Sequence, residues 1–185
     1  MSKNRNSIKG EYGIGYSRNT AEVRDFQELL DSRWAGLNNM EAQNYHEHKM
    51  EFVKNIRGVD FVNDSACTNL NGIFLALSDA TKQVTWITSF THWSDIELNL
   101  LQLIVEKVNH IIFFGDNNEE SRIFFDALNI NHDWCNDLET AVRIAFYSTP
   151  SGDEILFSPG IPADARFNES TAERGTQFKK AVAQL

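Results

Sequence analysis

From residue 59 onward the chain alternates short apolar strands with amphipathic helices, and this alternation admits few folds. Val59, Phe61 and Val62 form an apolar strand, Asn63 to Asn69 is a run of small polar groups, and Leu70, Ile73, Phe74 and Leu77 recur at helical spacing, so a helix is expected over 70–80. Gln83 to Ser89 is the next strand. Ser94 with Glu97 reads as a capping box opening a helix through Leu98, Leu101, Ile104, Val105 and Val108. His110 to Gly115 is a buried strand, Asn117 and Glu120 cap a helix with Phe124 and Leu128 inward, and Asn136 and Glu139 cap one through Val142, Ala145 and Phe146. Glu154 to Phe157 is a last short strand, and Ser170 with Glu173 starts a final helix striped by Phe178, Ala181, Val182 and Leu185. Repeated strand–helix–strand units make an α/β fold, a mainly parallel sheet with helices on both faces. A β-hairpin precedes it, from Met50 to Val53, through a turn at Asn55-Ile56-Arg57-Gly58, to Val59–Val62.

Ligands on such sheets gather at the carboxyl ends of the strands. Three loops leave strand ends there, at 63–69, 88–95 and 158–168. The first joins a strand to a helix N-terminus, a geometry that aims backbone N–H groups at a phosphate or carboxylate. The same residue types equally make a turn and an N-cap. A net charge of −9 argues against a nucleic-acid partner, which needs a basic patch, but leaves room for a small anion held by loop amides. No apolar run approaches the ~20 residues of a membrane span. The polar, basic start of the chain has no apolar core of a secretory signal. Cys67 and Cys135 form no paired motif, so the reading is a reduced, cytoplasmic protein.

Residues 1–45 read as an N-terminal arm carrying one amphipathic helix over 20–37, with Val23, Phe26, Leu30, Trp34 and Leu37 as its stripe. Gly10, Gly13 and Gly15 are spaced somewhat like a dinucleotide loop, but no strand precedes them and the helix follows too late. His46 and His48 flank Glu47 without a third ligand nearby, so no metal site is assigned. Cys67 lies beside a helix N-terminus, a setting that can lower a thiol pKa, but with no base in reach it reads as a small buried cysteine.

Two stretches carry a resemblance. His48-Lys49-Met50-Glu51-Phe52, then Gly58 to Ser65 ending in Asn63-Asp64-Ser65, then Thr68-Asn69, resembles the opening of a Mur ligase C-terminal domain, most nearly the MurD type that adds D-glutamate to UDP-N-acetylmuramoyl-L-alanine. There the pattern runs roughly H-R-x-E, hairpin, N-D-S-K-A-T-N. Leu156-Phe157-Ser158-Pro159, Phe167, Arg174-Gly175 and Phe178 resemble the family's closing L-L-S-P and R-G-x-x-F. The similarity covers about residues 46–185 and implies a six-stranded Rossmann-like domain that, in a complete ligase, holds the amino acid and touches the nucleotide.

By this resemblance Asn63, Asp64, Ser65, Thr68 and Asn69 form the nucleotide-facing loop, and His92, Ser158 and Ala163 face the amino acid. His92, Trp93, Asp95 and Asp64 would converge on a small-molecule pocket, while Arg174-Gly175 is explained by loop geometry and capping or, equally, by Arg174 anchoring the last helix to a loop carboxylate. The departures are chemical. The family's first-loop lysine falls at Ala66, its second-loop lysine near His92, its serine at Ala163 and its aspartate at Ala165, with Asp164 shifted by one and a residue inserted before Arg174. No G-x-x-x-x-G-K-[ST] phosphate loop occurs in the sequence. The expectation is therefore a stand-alone Mur-ligase C-terminal-like domain with no catalytic residue assigned, acting as a binding or regulatory module near peptidoglycan synthesis. It would need no cofactor alone, and Mg-ATP only within a complete ligase. The alternatives are a fragment or split component of an ATP-dependent ligase completed by an ATPase-domain protein, and a protein-interaction domain. The partners these imply are that ATPase protein or another cell-wall synthesis protein, and a small anionic ligand, with neither nucleic acid nor membrane.

Overall fold

The sheet begins with a tight hairpin. β1 (Glu51–Ile56) and β2 (Val59–Asn63) pair antiparallel, with Ile56 opposite Val59. Only Arg57 and Gly58 lie between them, both left-handed at φ 54 and 83, as a two-residue turn following the strand twist requires. Asn55 braces the turn: its Oδ1 accepts from Gly58 N at 3.1 Å and its Nδ2 donates to Asp60 at 2.6 Å. Asn55 and Ile56 therefore belong to the strand and not to the turn the sequence suggested.

The structure, a computed structural model, describes residues 47–90, 93, 96–115, 119–163 and 170–185. After the hairpin come α1 (Leu70–Asp79), β3 (Val84–Thr88), α2 (Leu98–Lys107), β4 (Val108–Phe114), α3 (Glu119–Ala127), β5 (Asn131–Cys135), α4 (Leu138–Ser148), β6 (Glu154–Phe157) and α5 (Thr171–Ala183). The six strands lie in the order β1-β2-β6-β3-β4-β5, and every pair after the hairpin is parallel. The last strand in sequence thus enters the middle of the sheet, which is why β6 is buried along its whole length.

Side chains leave each strand alternately for two cores. Phe61, Ile87, Ile112, Ile155 and Phe157 meet α4 and α5 through Ala141, Val142, Ala145, Phe178 and Val182. Trp86, Ile111, Phe113 and Leu156 meet α1, α2 and α3 through Ile73, Leu77, Leu100, Ile104 and Phe125. The α/β architecture with helices on both faces is as expected. No helix among the described residues is long and apolar enough to cross a membrane.

Several boundaries differ from the sequence reading. α2 starts with Glu97 at the N-cap, without a side-chain cap bond, so Glu97 is not the third residue of a capping box begun at Ser94. Val108 leaves the helix and starts β4. α4 is capped by Asp137, whose carboxylate accepts from Thr140 N at 2.7 Å, and not by Asn136. Phe125, fully buried, is the main core residue of α3, while Phe124 is half-buried. Phe74, Val105 and Leu185, read as core, are exposed. β5 was not foreseen, because Asn-His-Asp-Trp-Cys lacks the apolar run of a central strand; it lies at the sheet edge. The Ser170 cap is present, accepting from Glu173 N at 3.1 Å. The arm at 1–45, its 20–37 helix, His46 and Asn117 lie outside the described residues.

One buried acid generates a test. Glu154 is 8% exposed at the start of β6, and its Oε1 has no hydrogen-bond partner. Burial raises its pKa above 4.5, with Lys82 and Lys107 opposing and Asp60 reinforcing the shift. A raised folded-state value means stability that is full below the unfolded value and is lost as pH rises through the folded one. Glu154→Gln should therefore melt a few degrees above the parent at pH 8, the scale of ~1 kcal/mol in a domain of this size, with the difference vanishing at pH 4. Thermal unfolding across that range checks it.

Candidate functional site

Because β6 lies between β2 and β3, the loops that follow β2, β6 and β3 rise from three adjacent strand ends. Backbone bonds carry the ladder past the strands: Asp64 N donates to Phe157 O at 2.8 Å, Ser158 N to Ile87 O at 3.2 Å and Ser89 N to Pro159 O at 3.3 Å. Side chains then lock the third loop down. Trp86 Nε1 donates to Ser158 O at 2.9 Å and Thr88 Oγ1 to Pro159 O at 3.2 Å. Gly160 turns at φ 70 where a Cβ would overlap the end of Ile73.

Asp64 and Ser158 join the first loop to the third. Asp64 is 4% exposed; its Oδ2 accepts from Ser158 Oγ at 2.8 Å and its Oδ1 from Met50 N at 3.4 Å. Burial pushes its carboxyl up to about 6, against the hydrogen bonds from Ser158 and Met50 and the charges of Lys49 and Arg174. Asn63, fully buried, accepts from Ser65 N at 3.2 Å through Oδ1, and its Nδ2 faces His48 Nδ1 at 2.9 Å and donates to Glu51 Oε2 at 3.0 Å. Ser65 is fully buried and its Oγ has no partner. Asn69 is the N-cap of α1, accepting from Gly72 N at 3.0 Å, and Thr68 is half-buried just before it.

Arg174 holds this assembly from the far side. It is 5% exposed, and its guanidinium donates to Ser65 O at 2.8 Å, Cys67 O at 2.9 Å and Ile161 O at 2.9 Å. The expected carboxylate partner is replaced by three backbone carbonyls from two loops, which match the planar fork of donors. Desolvation lowers the guanidinium pKa without discharging it. Gly175 is the point of closest approach: a Cβ there would overlap Ser65 Oγ and His48 Nδ1. Cys67 lies under the same clamp, and burial pushes its thiol up, the opposite of what a nucleophile needs.

The structure thus brings Asn63, Asp64, Ser65 and Ser158 into one buried polar joint, with Thr68 and Asn69 at the adjacent helix start. Ala66, in the position of the family lysine, is exposed, and Ala163 is half-buried in the third loop. His92, Asp95, Asp164 and Ala165 lie outside the described residues. Trp93 does not line a pocket. It is 2% exposed, donates from Nε1 to Ser121 Oγ at 2.7 Å and packs edge-on against Trp86, Phe90 and Phe125, so it belongs to the core. Among the described residues no group of three His, Cys, Asp or Glu could hold a metal ion. The pairing of His48 with Asn63 is not legible in the sequence: both belong to one family pattern, but they lie on either side of the hairpin and only the fold brings them together.

No family model matches the chain. Over 139 residues, 75% of the chain, it is 32% identical to the UDP-N-acetylmuramoylalanine–D-glutamate ligase of Porphyromonas gingivalis, covering 30% of that protein. It is 34% identical over 139 residues, again 75% of the chain, to the enzyme of the same name from Christiangramia forsetii, covering 31% of it. The match to the Bacteroides fragilis enzyme is 32% over 140 residues, 75% of the chain and 31% of the relative. The chain therefore spans less than a third of the length of these curated relatives. The crystal structure of a murein peptide ligase from Psychrobacter arcticus superposes with a TM-score of 0.50 at 10% identity, covering 75% of this chain and 30% of that one, a likeness of fold.

Three variants measure the joint. Arg174→Met leaves three buried carbonyls without a charged donor and should cost roughly 3 kcal/mol in chemical denaturation. Gly175→Ala should cost about 1–3 kcal/mol by overpacking Ser65 and His48. Asp64→Asn keeps an acceptor and removes the charge. The parent should lose stability relative to this variant as pH rises from 4 through about 6, since the folded-state value is raised. A flat difference across that range would contradict the buried placement of Asp64.

Proposed function

We propose that this chain, a Mur ligase homologue over three quarters of its length, works as a binding or regulatory module for anionic peptidoglycan precursors and is catalytically incomplete alone. One observation carries the reading: the retained Asn63, Asp64, Ser65 and Ser158 are buried where the loops meet, while the position that would meet phosphate charge is Ala66. Asn63, Asp64 and Ser158 spend their side chains on contacts within and between the loops, which supports a scaffold role. The amides of Asp64, Ser65, Ala66 and Cys67 already have acceptors within the protein, so what remains for a ligand is the N-terminus of α1, suited to a small carboxylate or phosphate. The module would need no cofactor of its own and would act in the cytoplasm, where the precursors are made.

The matched region is 30–31% of each relative, which supports a second reading. The residues described would then be one component of an ATP-dependent UDP-N-acetylmuramoylalanine–D-glutamate ligase, with Mg-ATP handled by an ATPase domain outside them. The two readings differ in a measurable way. In a thermal-shift series with D-glutamate, ADP, Mg-ATP and UDP-muramoyl precursors, a ligand at 100 times its Kd adds about 2.7 kcal/mol. The module reading expects a shift with at least one anionic precursor and no amide formation by the chain alone. Ala66→Lys should strengthen the shift with a phosphate-bearing ligand. D-glutamate-dependent ATP turnover on adding a separate ATPase domain would favour the second reading. Ligation by the chain alone would overturn the first, and no shift with any precursor would exclude a small-ligand role.

A further inference from the structure

The turn leading into β1 holds two of the four left-handed non-glycine residues among the described residues. His48 and Met50 are both left-handed, at φ 73 and 47, without being glycine. The His48 side chain is buried, 5% exposed as a residue, and its main chain is tied down at both ends. His48 O accepts from Ala66 N at 2.9 Å, and His48 N donates to Glu51 Oε2 at 3.1 Å.

The hydrogen bonds define which ring nitrogen carries the proton. Ser65 N donates to Asn63 Oδ1, so the amide group of Asn63 that faces His48 Nδ1 is its NH2. His48 Nδ1 must then accept, and the proton of the neutral ring is on Nε2. Two carboxylates stand beside the same ring: Glu51 Oε2 at 3.4 Å from Nδ1 and Glu47 Oε1 at 3.7 Å from Nε2. Lys179 on α5 bridges both acids, at 2.8 Å from Glu47 and 3.1 Å from Glu51.

We propose that His48 is a positioning residue for the loop after β2, and that its protonation exchanges Asn63 for Glu51 as the partner of Nδ1 and loosens that loop. In the neutral state the ring accepts from Asn63, and Asn63 in turn holds Ser65. A proton on Nδ1 sets N–H against NH2. The ring then turns its new donor to Glu51, which stands within 3.4 Å, and the Asn63 amide withdraws or rotates. Rotation puts NH2 against Ser65 N–H, so either movement breaks the bond that holds Ser65. Gly175 closes the space behind, so the displaced groups cannot move toward α5. The charges around the ring are Glu47 and Lys49 in its own turn, Glu51 on β1, Asp64 in the loop, and Lys179 on α5; the Arg174 guanidinium is occupied by the carbonyls of Ser65, Cys67 and Ile161. The device acts through the change of the ring from acceptor to donor at Nδ1. It is independent of which ligand the loop faces.

The test is an NMR titration of the labelled full chain from pH 8 to 5, following the His48 ring nitrogens and the Ser65 and Ala66 amides. At pH 8 the ring should show an unprotonated Nδ1, and the two amides should shift with the midpoint of the ring. Asp64→Asn, which removes the buried acid of the same loop, should leave that coupled shift in place. His48→Gln keeps an acceptor but cannot titrate and should flatten the amide response. Glu51→Gln, which does not alter the ring but removes the carboxylate that receives its new donor, should move the ring and amide responses together. A ring that titrates while both amides stay still, a neutral ring protonated at Nδ1, or midpoints that separate in Glu51→Gln would overturn the proposal.

Discussion

The guanidinium of Arg174 is the contact on which the loop architecture depends. One buried cation from α5 donates to Ser65 O and Cys67 O in one loop and Ile161 O in another. Each of these carbonyls sits beyond the end of a strand, where the sheet no longer supplies a partner. Without a donor the carbonyls of Ser65 and Cys67 would be buried and unpaired, at roughly 1–3 kcal/mol each. The neighbouring Gly175 makes the contact possible, because α5 must come close enough for the guanidinium to reach both loops. The Arg–Gly pair is thus a structural unit: one residue supplies the charge and the other the space.

A second layer sits on this clamp. Asp64 and Ser158 close the gap between the loops, Asn63 orders Ser65, and His48 fixes Asn63. The layer is polar and almost wholly buried, so it specifies one geometry more than it adds stability. Side chains engaged in this way are not free to meet a ligand.

How far the sequence foretold this depended on the kind of signal. β2, β3, β4 and β6 were legible because central parallel strands are apolar runs. The hairpin was legible through Gly58. β5 was not, because an edge strand pairs on one side and tolerates Asn, His and Asp. Asp137 was passed over for Asn136 since both residues cap well and adjacent positions look alike in sequence. The partners of Arg174 were illegible for a deeper reason. Backbone carbonyls are the same at every residue, so a sequence reveals the donor and conceals the acceptor; a carboxylate was the natural guess. Trp93 was read as a pocket wall because an aromatic beside a loop suits either role, and only its packing against Trp86, Phe90 and Phe125 decides. The resemblance of the two end stretches was informative because the fold brings those ends together, with β2 and β6 as neighbours.

The central claim is that this loop joint is ordered by the protein's own contacts before any ligand arrives. Native-state hydrogen exchange of the ligand-free chain tests it most directly, read at the amides of Asp64, Ala66 and Cys67, whose acceptors are Phe157 O, His48 O and Asp64 O. The account predicts protection approaching that of the β6 amides, and loss of that protection in Arg174→Met while β3 and β4 remain protected. Exchange at the rate of an open loop in the unaltered protein would contradict it.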